Sequence, residues 1–193
     1  MKTKLTVVAA LVICVLAFVY KATAQNTKEI KKIETGDKKV LIVYYSYSGN
    51  TKQVAEAIHK IAGGDIFEIK AEGTYPQDYN EMVQQAKKEI TDNFRPRLTT
   101  SIANIEKYNI VFLGSPNWWG TITPQLSSFL DNYDLSGKTV IPFITHGDGG
   151  EQNTVKDMSA QCKGCKVSLN GWTGYGKSTD GLEDWLKKLG FGK

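Results

Sequence analysis

The sequence predicts an α/β fold, a parallel sheet covered by helices, and three observations predict it. From Val40 onward, short apolar runs alternate with amphipathic stretches, which is the signature of strands joined by helical crossovers. Five such strand–helix pairs can be counted, without internal repeats or low-complexity segments. The chain has 193 residues, 41% hydrophobic and 23% charged, which suits one globular domain with a substantial core and excludes a disordered tail, collagen or a coiled coil.

The elements follow in order. Residues 40–45 form the first strand and 51–61 the first helix, with Val54, Ala55, Ile58 and Ile61 on one face and Gly63-Gly64 ending it. Residues 65–70 are the second strand. A loop with Gly73, Tyr75 and Pro76 leads to a second helix at 79–90. Residues 110–115 are the third strand, and 124–133 the third helix, with Pro124 in the first turn where a missing N–H costs nothing. Residues 138–145 are the fourth strand. Pro142 fits there only near its beginning or beside a bulge, because proline cannot donate to a ladder. A helix at 151–161, a strand at 166–170 and a helix at 181–189 complete the alternation.

The amino terminus has the three parts of an export signal. Lys2 and Lys4 precede an apolar run over residues 5–19 broken only by Thr6, and Ala22-Thr23-Ala24 supplies small residues for cleavage before Gln25. The run is short of the roughly 20 apolar residues of a spanning helix. Residues 1–24 are thus expected to be a signal peptide and the protein to be exported, to a periplasm in a bacterial envelope. Membrane attachment would come only through an uncleaved signal or a lipid anchor at Cys14. Residues 25–39 are polar and read as a tether, and residues 40–193 as the domain.

Charge excludes one class of partner. The formal net charge is +4, but three of the 24 basic residues, Lys2, Lys4 and Lys21, fall in the first 24 positions, leaving 21 against 20 acidic ones. So balanced a chain gives no electrostatic reason to bind nucleic acid.

In an open parallel sheet, ligands bind at the carboxyl ends of the strands. Three of the loops there are unusual. Ser46-Tyr47-Ser48-Gly49-Asn50-Thr51 follows the first strand and crowds hydroxyls and a glycine around a helix amino terminus. Unpartnered helix N–H groups and the helix dipole favour a phosphate there, and Ser46, Ser48 and Thr51 can donate to its oxygens. A plain helix cap explains one such residue and not four. There is no G-x-x-x-x-G-K-[ST] motif and no G-x-G-x-x-G, which argues against a triphosphatase loop and a dinucleotide turn. The strand ends carry Tyr44, Tyr45, Gly114 and Ser115 where a response regulator would need carboxylates.

The loop Pro116-Asn117-Trp118-Trp119-Gly120 after the third strand carries two adjacent tryptophans, which either plug the sheet edge or offer a flat face for a planar ligand. Thr145-His146-Gly147-Asp148-Gly149-Gly150 after the fourth is glycine-rich and can bring backbone amides close to the same ligand. A phosphate end, a stacking surface and a close backbone together describe a mononucleotide with a planar head.

These residues carry a resemblance. The Ser46–Thr51 loop is similar to the FMN phosphate loop of the flavodoxin family, and Trp119-Gly120 stands where that family has a flavin-stacking tryptophan and its following glycine. Similarity to an exported flavodoxin-like group extends over nearly all of 40–189, including Tyr75-Pro76, Ser136-Gly137-Lys138 and Thr145-His146-Gly147. The resemblance implies a flavodoxin-like three-layer sandwich, a five-stranded parallel sheet of order 2-1-3-4-5 with helices on both faces, holding FMN non-covalently. It implies cofactor contacts from Ser46, Tyr47, Ser48, Gly49, Asn50, Thr51, Pro116, Asn117, Trp118, Trp119, Gly120, Thr145, His146, Gly147, Asp148 and Gly149. It also implies a glycine carbonyl that flips near the flavin N5, with Gly120 as the candidate. The sequence departs from the family in lacking the tyrosine that commonly stacks on the outer flavin face, so His146 or one of the tryptophans would replace it. It also lacks the strong acidity of typical flavodoxins.

Other residues carry less. Cys162-x-x-Cys165 ends a helix and leads into a strand, where the helix dipole raises a thiol pKa, so a disulfide or an inert pair fits better than thioredoxin-like chemistry. His59 falls on a helix surface, and His146 is either a flavin donor or proton relay or an ordinary loop histidine. Two histidines so placed support neither a metal cluster nor a Ser-His-Asp arrangement. The expected function is an FMN-binding redox protein exchanging electrons, outside the cytoplasm, with a partner protein or a small-molecule acceptor, and no catalytic side chain is required. The alternatives are an FMN-dependent NAD(P)H:quinone-type reductase and a binding module without redox turnover.

Overall fold

The computed structural model describes residues 32–192. The expected export signal and the start of the polar segment lie outside the described residues. Strands β1 (Val40–Tyr44), β2 (Asp65–Glu68), β3 (Ile110–Pro116), β4 (Thr139–His146), β5 (Lys166–Val167) and β6 (Trp172–Tyr175) form one sheet of order β2-β1-β3-β4-β5, with β6 also on β4. Every strand pairing is parallel. The helices are α1 (Asn50–Ala62), α2 (Tyr79–Thr91), α3 (Pro124–Asn132), α4 (Thr154–Gln161) and α5 (Leu182–Leu189).

Successive strand residues point to opposite faces, and both faces are apolar. Ile42, Tyr44, Ile110, Phe112, Ile141 and Phe143 meet Val54 and Ile58 of α1 and Trp185 and Leu186 of α5. Leu41, Val43, Val111, Leu113, Val140 and Ile144 meet Leu126 and Phe129 of α3 and Val155 and Met158 of α4. Each such side chain contributes about 1.5–3 kcal/mol on burial, so the two interfaces together hold the three layers. Gly114 in β3 makes room for one of them, because a methyl group there would lie 2.1 Å from the Phe143 ring.

Sequence and structure differ most at the fifth sheet position. The expected strand at 166–170 is only two residues long, and β6, which the sequence did not suggest, continues alongside β4. Thr139 and Val140 pair with Lys166 and Val167, whereas Phe143 to His146 pair with Trp172 to Tyr175, so the edge gains two residues between the segments. The carbonyls of Lys138 and Val140 accept from the N–H groups of Lys166 and Ser168, so even-numbered residues of β4 face this edge. Pro142 lies on that side and has no N–H to give. It therefore sits in mid-strand, and the bulge lies opposite it.

Two smaller corrections follow. Helix α4 begins at Thr154 and not at 151, because Gln152 has a φ of +46°. The carboxyl end of the polar segment is docked, since Ile33 donates its N–H to the Leu189 carbonyl at 2.8 Å and packs on the core beside α5.

Candidate functional site

The loops after β1, β3 and β4 converge at the carboxyl ends of the strands, as the topology requires. Helix α2 starts with Asp78 accepting from the Glu81 N–H, and α3 with Thr123 accepting from the Leu126 N–H. Helix α1, like α4 and α5, has no side-chain cap, and its N-cap is Gly49, at φ +86°. Ser46, Ser48 and Asn50 are therefore not spent as caps. The Ser46 Oγ is buried and without a hydrogen-bond partner beside this helix start. Thr51 and Thr145 join their buried hydroxyls at 2.8 Å, tying the first loop to the third.

Asn117 fastens the second loop to the third. Its N–H donates to the Thr145 carbonyl at 2.7 Å, its Nδ2 donates to the Gly150 carbonyl at 2.6 Å, and its Oδ1 accepts from the Gly120 N–H at 2.9 Å. Trp118 and Thr121 exchange both backbone hydrogen bonds at 3.1 Å around Trp119 and Gly120, whose φ values are +52° and +83°. A two-residue turn with both residues left-handed is of the I′ kind. Glycine adopts it freely, while tryptophan is strained by about 1–2 kcal/mol. Gly120, the candidate for a flipping peptide, has both backbone groups engaged, since its carbonyl accepts from the Asn153 N–H at 3.0 Å.

The two tryptophans have different surroundings. Trp118 is met edge-on by Tyr45, Tyr47 and Tyr75, at centroid distances of 5.9, 6.0 and 5.0 Å. Trp119 is 51% exposed and leans on α2: its Nε1 donates to the Val83 carbonyl at 3.1 Å, and the Lys87 ammonium lies 4.6 Å from its ring centre. Burial pushes the phenols of Tyr45 and Tyr75 well above their ordinary range, and for Tyr75 the Glu89 carboxylate, which accepts its hydrogen bond, adds to this. His146 packs edge-on against Tyr175 at 6.0 Å, and its Nδ1 is buried without a partner.

Between these loops lies a cleft of about 640 Å³, within the usual range for ligand sites. Fourteen of the sixteen residues expected to bind cofactor line it; Ser46 and Gly49 lie in the same loop but not on its wall. The sequence reading missed Gln152 and the α2 wall of Tyr79, Met82, Val83 and Ala86. Their spacing was visible, but spacing of i, i+3, i+4 and i+7 ordinarily means core. No Lys or Arg lines this cleft, but Lys177 lines an adjoining pocket with Ser48, Gly49 and Asn50 at the α1 start, so an anion there would have N–H groups, hydroxyls and one nearby cation. The orphaned serine, the uncapped helix and the aromatic middle fit a phosphorylated planar ligand.

His59 is exposed on α1. Cys162 and Cys165 are joined in a disulfide. They precede the Lys166 that pairs with Thr139 at the start of β4, whereas the cleft is at that strand's end, about 20 Å away at ~3.3 Å per residue.

Comparison with known proteins adds family evidence. The flavodoxin family profile matches residues 39–189. A flavoprotein from Lactobacillus acidophilus NCFM, solved in complex with FMN, is 28% identical with a TM-score of 0.64, covering 77% of this chain and 98% of its own. A protein of Bacteroides eggerthii DSM 20697 is 27% identical with a TM-score of 0.70, covering 80% and 99%. An NAD(P)H dehydrogenase (quinone) of Azorhizobium caulinodans is 29% identical over 128 residues, which are 61% of this chain and 62% of that enzyme.

Proposed function

This chain belongs to the flavodoxin family, and from that premise we propose that it is an FMN-binding redox protein that carries electrons outside the cytoplasm. One observation carries the cofactor assignment: a helix start without a side-chain cap lies at one end of an aromatic cleft, and the loop leading into it holds a buried, unpartnered Ser46 hydroxyl just behind the cleft wall. Bound FMN would supply the electron chemistry, and the chain supplies binding and orientation. Ser46, Ser48, Thr51 and the first N–H groups of α1 hold the phosphate. Trp118, wedged among three tyrosines, gives one firm aromatic wall, and Trp119 gives a second, more exposed one. Asn117 and the glycines of the third loop close the polar edge.

Export rests on the pattern of residues 1–24, with Lys2 and Lys4 before the apolar run and Ala24 before the cleavage point. Amino-terminal sequencing of the secreted chain should begin at Gln25. Recovery of an intact amino terminus with the cytoplasmic fraction would overturn it.

Reduction of quinones by a nicotinamide donor is the second function the cleft supports. It is favoured by the similarity to the Azorhizobium enzyme and by the apolar α2 wall beside Trp119, where a planar acceptor could lie. Anaerobic stepwise reduction of the FMN-loaded protein separates the two: stable one-electron uptake supports carriage, and rapid oxidation of reduced nicotinamide with quinone turnover supports the reductase. A chain that binds no FMN would be the non-redox binding module.

A further inference from the structure

Four non-glycine residues among those described have left-handed backbone: Asn93, Asn104, Trp119 and Gln152. Asparagine tolerates that region through its short polar side chain, whereas tryptophan and glutamine have no such ease. Both of these strained residues line the cleft. At Gln152 the backbone is pinned on the carboxyl side, where the Asn153 N–H donates to the Gly120 carbonyl and the Thr154 N–H to the Glu151 carbonyl. These bonds therefore set where the Gln152 side chain leaves the backbone at the cleft wall.

That place is kept clear by two glycines from two different loops. A methyl group on Gly120 would lie 2.4 Å from the Gln152 Oε1, and one on Gly149 would lie 2.6 Å from its Nε2. Either would drive the carboxamide out. The carboxamide itself makes no hydrogen bond to another described residue. A planar donor and acceptor side by side, without a hydrogen bond to another described residue and seated beside two glycines at the wall of a cleft, is a recognition group waiting for its complement.

Resting on the FMN assignment above, we propose that Gln152 reads the imide edge of the flavin ring, its Oε1 accepting the ring N3–H and its Nε2 donating to a neighbouring ring carbonyl. An imide presents acceptor, donor and acceptor in one plane, so a carboxamide can pair with it twice. Gln152 thereby selects for a planar head with an unsubstituted imide.

The test uses the full chain, titrated with FMN and with N3-methyl-FMN and read by flavin fluorescence. We expect the native chain to prefer FMN by about tenfold or more, the scale of one satisfied hydrogen bond together with an unsatisfied partner. Gln152→Gly, which removes the amide and relieves the backbone, should lose about tenfold for FMN and abolish the preference. Gly149→Ala has no backbone penalty of its own and should give the same loss, with no further loss when combined with Gln152→Gly. A native chain indifferent to N3 methylation, or a Gln152→Gly variant that keeps the preference, overturns the role of Gln152 while leaving FMN binding intact. Failure to bind either compound overturns the FMN assignment and the role of Gln152 together.

Discussion

Replacing Ser46 with alanine should move stability and cofactor affinity in opposite directions. The Ser46 Oγ is buried beside the start of α1 and has no partner, so without ligand it is a cost. An unsatisfied buried hydroxyl costs about 1–3 kcal/mol, and its removal should stabilise the ligand-free chain by about 1 kcal/mol after the loss of its packing. For a domain of this size that raises Tm by about 2–4 °C. With FMN bound, the same hydroxyl would donate to a charged phosphate, a bond of about 1.5–3 kcal/mol, so Kd should rise by about 10- to 150-fold. Melting with and without FMN, together with a fluorescence titration, reads both effects. General damage to the fold lowers both quantities and cannot reproduce the crossing. A lower melting temperature with an unchanged Kd would refute the assignment of Ser46 to the phosphate.

Three further outcomes are expected. Gly114→Ala places a methyl group against the Phe143 ring and should cost about 1–3 kcal/mol in denaturant melts, partly recovered by adding Phe143→Leu; full stability of the single variant would contradict the packing. The phenols of Tyr44, Tyr45, Tyr75 and Tyr108 are all raised, chiefly by burial, Tyr44 to about 12. Because the folded chain keeps protons that the unfolded chain releases near pH 10, their contribution is complete below pH 10. It is lost as pH climbs toward 12 and beyond, so stability should fall over that window. Ultraviolet titration should show at least four of the nine tyrosines ionising late, and a single transition near 10 would refute their burial. Replacing Cys162 and Cys165 together by serine should cost no more than about 2 kcal/mol, since the closed loop is short, and should leave FMN affinity unchanged, since the disulfide is at the opposite end of β4. A shifted Kd would show that the two ends are coupled.

Legibility in the sequence followed the physics of each part. Strands β1, β3 and β4 were plain because continuous apolar runs such as Val40–Tyr44 have to be buried on both faces. The phosphate loop was plain because four capping-type residues in six positions exceed what one helix start uses. The sheet order came from resemblance, as no periodicity encodes which strands become neighbours. Strand β6 was hidden because it contains Gly174, whose missing side chain admits the Trp172 ring, where an added methyl group would lie 2.0 Å away. A glycine in so short a run argues against a strand when only the sequence is read. Tyr79 and Val83 looked like any core-facing helix residues, and only the docking of Trp119 on α2 turns that face into a wall of the cleft. Gln152 was invisible because a left-handed glutamine has no compositional mark, and 151–161 otherwise reads as one helix.

The break opposite Pro142 also bears on how this chain could grow. Residues 168–171 lie at the margin of the sheet between two short segments that are each paired independently with β4. The segment between them is itself tied down, since the Ser168 N–H donates to the Val140 carbonyl at 2.8 Å and the Trp185 Nε1 donates to the Asn170 carbonyl at 2.9 Å. Any change of length at this edge therefore has to keep both ties, so the break opposite Pro142 is anchored by the same core that Trp185 belongs to.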